Sequence, residues 1–206
     1  VIVQVGSKII YLASKSPRRR ELLKQIGVQY ELLLMRETAP RVDIDESPRP
    51  EETPHAYVER VVRLKADVAL RAMRDRKLPD RPILTADTTV TLDGHILGKP
   101  ENQDDAISML KRLSGQTHQV LTAVMVTTEK DQHKVLTTSF VTFAQLSEEE
   151  IRAYVESGEP MDKAGAYGVQ GRAARFISKL SGSYSGVVGL PLYETANLLK
   201  LANVVF

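Results

Sequence analysis

The residues best suited to chemistry begin at Ser14-Lys15-Ser16-Pro17-Arg18-Arg19-Arg20, where hydroxyls and cations crowd one turn. Ser16 suits a helix N-cap and Pro17 the first helical position, which places the arginines in the first turn. Cations there face unpaired N–H groups and the positive end of the helix dipole, so they repel it and one another. An anion on the helix N-terminus would resolve the conflict, because backbone N–H groups and guanidinium forks both suit phosphate. A solvated basic turn, or a patch for RNA phosphates, fits the same residues. The G-x-x-x-x-G-K-[ST] loop of P-loop nucleotide hydrolases is absent from the chain. Successive helical side chains diverge by about 100°, so the three arginines cannot all reach one small ligand.

Asp87 lies in the β-favouring run Leu84–Val90, either half-exposed or aimed into a cleft. Lys99, in Gly98-Lys99-Pro100, reads either as a surface lysine or as a cation stiffened by the proline behind it. Lys65 falls beside an apolar helical stripe, where lysine commonly snorkels to water. Asp45 and Glu46 could take a divalent cation or simply face solvent. Small residues in Asp162-Lys-Ala-Gly-Ala-Tyr-Gly168 allow close backbone approach to a ligand, and equally a tight bend between strands.

The elements that must position these groups follow from pattern. Ile9–Ala13 reads as a buried strand and Arg18–Ile26 as a helix closed by Gly27. Residues 36–54 form a polar loop of a length that is often functional. Thr53-Pro54 opens a helix to about Arg74, with Tyr57, Val61, Leu64 and Val68 on one stripe. Strand Ile83–Leu92 turns at Asp93-Gly94 into His95–Leu97. A helix over Asp104–Leu113 precedes strands Val120–Thr127 and Val135–Phe143. Ser147 to Glu150 is a capping box for a helix to Glu156, and a last helix covers Leu192–Leu201. Interleaved strands and helices with a hairpin inside them predict a mixed α/β sheet with flanking helices.

Composition narrows the chemistry. With no cysteine, thiolate zinc sites, disulfides and cysteine nucleophiles are excluded. The four histidines are scattered without ligand spacing, so any metal would be a hard cation on carboxylates and phosphate oxygens. A net charge of +2 and the lack of tryptophan speak against nucleic acid as the partner. No apolar run approaches the ~20 residues that span a bilayer, and the N-terminal stretch makes a poor signal peptide. The expectation is a soluble cytoplasmic protein.

The segments LASKSPRRRELL (12–23), VDIDE (42–46), VVRLKA (61–66), TADTTV (85–90), ILGKP (96–100), LSGQTHQVLTAV (113–124), EPMDKAGAYGVQG (159–171) and SYSGVVGLPL (183–192) together resemble the Maf family of nucleotide pyrophosphatases. They occur in the family's order and spacing across nearly the whole chain. The resemblance implies one domain over residues 1–206, with a strongly twisted mixed sheet and two lobes around a deep cleft, related to the inosine triphosphate pyrophosphatases. It implies cleavage of a nucleoside triphosphate between its α- and β-phosphates, with a divalent cation, Mg²⁺ or Mn²⁺, and a homodimer.

Carried over by motif, Asp87 is the general base, with Lys65 and Lys99 in the catalytic set. Ser14, Arg18 and Arg19 contact phosphates, and Glu46 and Asp87 place the metal. Arg18, Thr88 and Gln170 occupy the specificity positions and resemble the dTTP/UTP-cleaving branch. A Gln170 amide, both donor and acceptor, suits the imide edge of uracil or thymine. Lys15 and Arg20 make the first loop more basic than the motif requires. The competing expectation is a non-catalytic nucleotide- or nucleic-acid-binding regulator of cell division.

Overall fold

The computed structural model describes residues 6–35 and 44–206. The first two residues of the VDIDE block and most of the first half of the loop expected over 36–54 lie outside the described residues. Seven strands form one open mixed sheet in the order β2-β1-β3-β5-β6-β7, with β4 paired to β3. They are β1 (Ile9–Leu12), β2 (Gln29–Leu32), β3 (Ile83–Leu92), β4 (His95–Leu97), β5 (Thr117–Thr127), β6 (Gln132–Phe143) and β7 (Ile177–Ser181). The helices are α1 (Pro17–Gln25), α2 (Pro54–Asp75), α3 (Gln103–Leu113), α4 (Glu148–Glu156), α5 (Tyr184–Val188) and α6 (Leu192–Leu201). β1 runs parallel to both β2 and β3, whereas β4, β5, β6 and β7 join antiparallel.

The local chemistry explains most boundaries. Ser16 Oγ accepts the Arg19 N–H, and Thr53 Oγ1 accepts the Ala56 N–H, each with proline in the first turn that follows. α1 stops in a Schellman pair, Val28 N–H to Leu23 O and Gly27 N–H to Lys24 O. The β3–β4 turn holds Asp93 and Gly94 at φ 50° and 78°, the left-handed pair that a tight hairpin needs. On α2 the buried stripe is rotated from the expected one: Val58, Val62, Ala66, Ala69 and Met73 pack inward with Val61 and Val68, while Tyr57 and Leu64 sit half-buried at its edge.

Strand alternation divides the core between the two faces of the sheet. On one face, Leu121, Ala123 and Met125 of β5 meet Val58, Val62 and Ala66 of α2. On the other, Leu84, Ala86, Val124 and Val126 meet Leu22 and Leu23 of α1, Val188 of α5, and Leu198 and Leu199 of α6. Beyond the hairpin, Val90, Leu92 and Leu97 pack with α3, α4, Phe143 and Phe176.

Topology then makes an opening. The chain leaves β1 for β2 on one side and returns through α2 to β3 on the other, so the strand order reverses between β1 and β3. In open α/β sheets such a switch point, at the carboxyl ends of the strands, is where ligands bind. β1 pairs with β3 only at Ile83 and Leu84, and β4 only from Val90 onward. Among the described residues no strand covers that edge of β3 over residues 85–89, although β5 pairs along its other edge.

Candidate active site

Into this opening runs a cleft of about 820 Å³. Ser14, Arg18, Arg19, Glu46, Lys65, Asp87, Thr88, Lys99 and Gln170 all line it, although they come from six separate segments of the chain. Six cationic side chains, with Lys15 and Lys163 added to those above, stand against three carboxylates, Glu46, Asp87 and Asp162, among the described lining residues. Excess positive charge in a low-dielectric recess concentrates anions.

Asp87 is the buried carboxylate of the group, only 7% exposed. β3 turns it toward α2, where Lys65 Nζ donates to its Oδ1 at 2.7 Å. Thr89, two residues on and therefore on the same face, donates to Oδ2 at 3.3 Å. Lys65 does not snorkel to water: its Nζ also lies 3.0 Å from Glu46 Oε1 and bridges the two carboxylates. Glu46 is in turn fixed through its backbone, since Tyr57 O–H donates to the Glu46 carbonyl at 2.9 Å. Burial and the nearby charges of Asp87 and Glu46 push the Tyr57 hydroxyl up to about 12, so it remains a donor. Arg60 holds the same loop, reaching the Ser47 carbonyl at 3.0 Å while forking onto Glu52.

The first loop divides its arginines. Arg19 turns inward to the Gly189 carbonyl (Nε, 2.8 Å), Ser14 Oγ (3.2 Å) and Thr88 Oγ1 (3.2 Å). All three partners are neutral. Burial pulls the Arg19 pKa down, opposed by the charge of Asp87, with Arg18 adding a further downward push. A guanidinium has five N–H donors, so two remain after these three bonds. Arg18 also lines the cleft, whereas Arg20 lies outside that lining and folds back onto the Lys15 carbonyl at 2.8 Å.

The opposite wall is the turn after α4. Gly165 sits at φ +71° with its backbone against β3, where an added Cβ would lie 2.8 Å from Val90 Cγ1. Its N–H binds the Gly98 carbonyl at 3.0 Å, tying the wall to the residue before Lys99. The turn is both the tight bend and the close approach that its small residues allow. Lys163 is anchored by the Glu159 carbonyl and by Asp162, and that hydrogen bond holds the Asp162 carboxyl below its usual range. Exposed Gln170 and exposed Lys99 stand at the rim.

Several contributors escaped sequence reasoning. Thr89 was within reach of the period-2 rule once Asp87 was chosen. Apolar periodicity places Tyr57 on the buried stripe of α2, and Thr122 and the Gly189 carbonyl enter only through strand register and tertiary contact. Among the described residues no group of three or more His, Cys, Asp or Glu side chains gathers to hold a metal. None of the described helices is long and apolar enough to cross a membrane.

Comparison with known proteins agrees with this geometry. Residues 9–202 match the family described as Maf-like protein. A protein of Cupriavidus pinatubonensis named dTTP/UTP pyrophosphatase is 57% identical over 199 residues, 96% of this chain and 98% of its own. Proteins of the same name from Dechloromonas aromatica and Nitrosomonas europaea are each 55% identical. These matches cover 93% and 97% of this chain, and 96% and 97% of theirs. The family match runs from the first strand to the last helix, through every described segment that lines the cleft, and the chain belongs to the Maf-like protein family.

Proposed function

We propose that this chain is a nucleoside triphosphate pyrophosphatase that hydrolyses dTTP and UTP to the monophosphate and pyrophosphate, with residues 1–206 forming one two-lobed domain. The observation that carries the reading is the buried Asp87 carboxylate, held by Lys65 beside a guanidinium whose described partners are all neutral. A desolvated cation with neutral partners is costly until an anion arrives, and phosphate oxygens fit the donors left on Arg19. The names of the relatives supply the substrate.

In this reading water attacks the α-phosphorus, its proton passes to Asp87, and the bond to the bridging oxygen breaks as pyrophosphate departs. Arg18, Arg19, Ser14 and Lys99 bind the phosphates and offset charge that grows on their oxygens and on the leaving group. Lys65 aims the base. Gln170, with Arg18, belongs to base selection, pairing its amide with the pyrimidine imide edge.

The residues also fit a divalent cation. Mg²⁺ and Mn²⁺ accept one or two carboxylates together with substrate phosphates, and Glu46 and Asp87 are two carboxylates already brought to one point by Lys65. Such an ion would lower the pKa of bound water and neutralise phosphate charge. The homodimer implied by the resemblance belongs to the same reading, and light scattering measures it.

The test is incubation of the purified protein with dTTP, UTP and control nucleotides in Mg²⁺ or Mn²⁺. Pyrophosphate should appear fastest from the two pyrimidine substrates. No pyrophosphate from any nucleotide, or orthophosphate in its place, would sink the reading.

A further inference from the structure

The hydroxyl of Thr88 is committed in a direction that the geometry determines. Thr122 Oγ1 donates its hydrogen to the Gly186 carbonyl at 2.8 Å, because a carbonyl oxygen can only accept. A threonine hydroxyl has one hydrogen. In the 3.0 Å contact between Thr88 Oγ1 and Thr122 Oγ1, Thr88 must therefore be the donor. Its own oxygen accepts from Arg19. The result is a one-way relay: Arg19 N–H to Thr88 O–H, to Thr122 O–H, to the Gly186 carbonyl.

The relay is built into the fold. Thr88 and Thr122 are directly opposed in the β3–β5 register, on the face covered by α5. Thr122 is fully buried. The segment that ends the relay at Gly186 also supplies the Gly189 carbonyl to Arg19 Nε, so two of the guanidinium's three anchors trace to α5 and its C-terminal cap, the third being Ser14 Oγ. Serial donation polarises each successive bond, which strengthens the acceptor that Thr88 presents to Arg19. With its single proton spent on Thr122, Thr88 has none to offer a base or a phosphate.

We propose that Thr122 is a positioning residue for Arg19, and that Thr88 acts through the same relay, orienting the guanidinium rather than reading the nucleobase by donation. The proposal rests on the phosphate-binding reading of the cleft.

Thr122→Val keeps the shape and removes the hydroxyl. It should lower kcat/KM for dTTP about tenfold, the order expected when a charged group loses a well-placed partner. Thr122→Ser, which restores the hydroxyl, should recover most of the loss. Thr88→Val should match Thr122→Val, and the double variant should be no worse than either, since members of one relay are not additive. The ratio of kcat/KM for dTTP to that for CTP should stay within about twofold throughout.

Full kcat/KM in Thr122→Val alongside a loss in Thr88→Val would overturn the relay, as would strictly additive losses. A large change in base selectivity in Thr88→Val alone would return Thr88 to the nucleobase. Tripolyphosphate affinity by calorimetry reads the same relay without turnover, and Thr122→Val should weaken it by a similar factor. Unchanged affinity defeats the relay even where nucleotides are hydrolysed. Weakened affinity in a protein that hydrolyses nothing supports the relay and defeats only the enzymatic reading. Should Thr122→Val fail to melt cooperatively, the cleft-lining Thr88→Val, compared with Thr88→Ser, decides the matter alone.

Discussion

Replacing Asp87 with asparagine separates chemistry from structure. The amide is nearly isosteric and its oxygen can still accept from Lys65, now as a neutral acceptor. A hydrogen bond to a charged group contributes about 1.5–3 kcal/mol and a neutral one about 0.5–1.5 kcal/mol, so the folded protein should lose about 1 kcal/mol. Lys65 is not stranded, because Glu46 remains 3.0 Å away. For a chain of this size that loss lowers Tm by about 2–4 °C. Catalysis should suffer far more, since an amide cannot take the proton of water and a positioned general base contributes about 10²–10⁴-fold. A thousandfold fall corresponds to about 4 kcal/mol in the barrier. Pyrophosphate release from dTTP at saturating metal, beside a thermal melt of the same preparation, measures both. A fall of less than tenfold with an intact melt would remove Asp87 from the role of base. Activity lost together with the cooperative transition would show that the carboxylate holds the fold instead.

Two more expectations concern Tyr57, on the cleft wall, and His118, in the core. Tyr57→Phe deletes the bond to the Glu46 carbonyl and should raise the metal concentration for half-maximal rate about tenfold, the lower end of what loss of a supporting hydrogen bond does elsewhere. Mn²⁺ binding in the presence of tripolyphosphate, followed by electron paramagnetic resonance, should weaken in parallel; unchanged binding refutes the clamp. His118, 1% exposed and bonded to Tyr167 at 2.7 Å, is held down to about 4 by burial. Between about pH 6.5 and pH 4 the unfolded chain binds this proton and the folded one does not, so stability from the neutral ring is present above pH 6.5 and is lost as pH falls through that window. Urea unfolding should show about 2 kcal/mol lost between pH 7 and pH 5 from this group, and His118→Gln should abolish that part of the slope. An identical slope in the variant would exclude His118 as its source. Glu52, lowered to about 2 chiefly by its bond to Arg60, acts in a separate window as pH falls from 4.5 toward 2.

Local signals carried much of the fold. Ser16-Pro17, Thr53-Pro54, Asp93-Gly94 and the Ser147 capping box depend on a few adjacent residues, and each sits where its chemistry puts it. β2 is a four-residue edge strand with mostly exposed side chains, so neither length nor alternation marks it in Gln29–Leu32. α5 spans only five residues, too few for a helical period to show. In the candidate site, charge placement pointed to the Arg18–Arg19 loop as an anion platform, and the ordered motifs joined it to Asp87, Lys65 and Lys99. Partnerships were harder to read. That Lys65 reaches Asp87 depends on how α2 crosses β3, and that Thr88 meets Thr122 depends on a register no local pattern specifies. The two faces of β3 divide its consecutive residues, sending Asp87 and Thr89 toward α2 and Thr88 toward α5, and only the open edge lets both faces serve one cleft.

That open edge has a further consequence for behaviour in a crowded solution. A row of unpaired strand backbone is ordinarily an invitation to a second chain, and long flat edges seed aggregation. The strand-free run of β3 covers residues 85–89, about 17 Å at the rise of a strand, and it is recessed between β1 at one end and β4 at the other. An intruding strand would have to enter end-stopped on both sides and pass a buried carboxylate held by an ammonium. The opening is long enough for a nucleotide and too short, and too charged, for a neighbour's β-strand, so this gap resists strand pairing in a way that the outer edges at β2 and β7 do not.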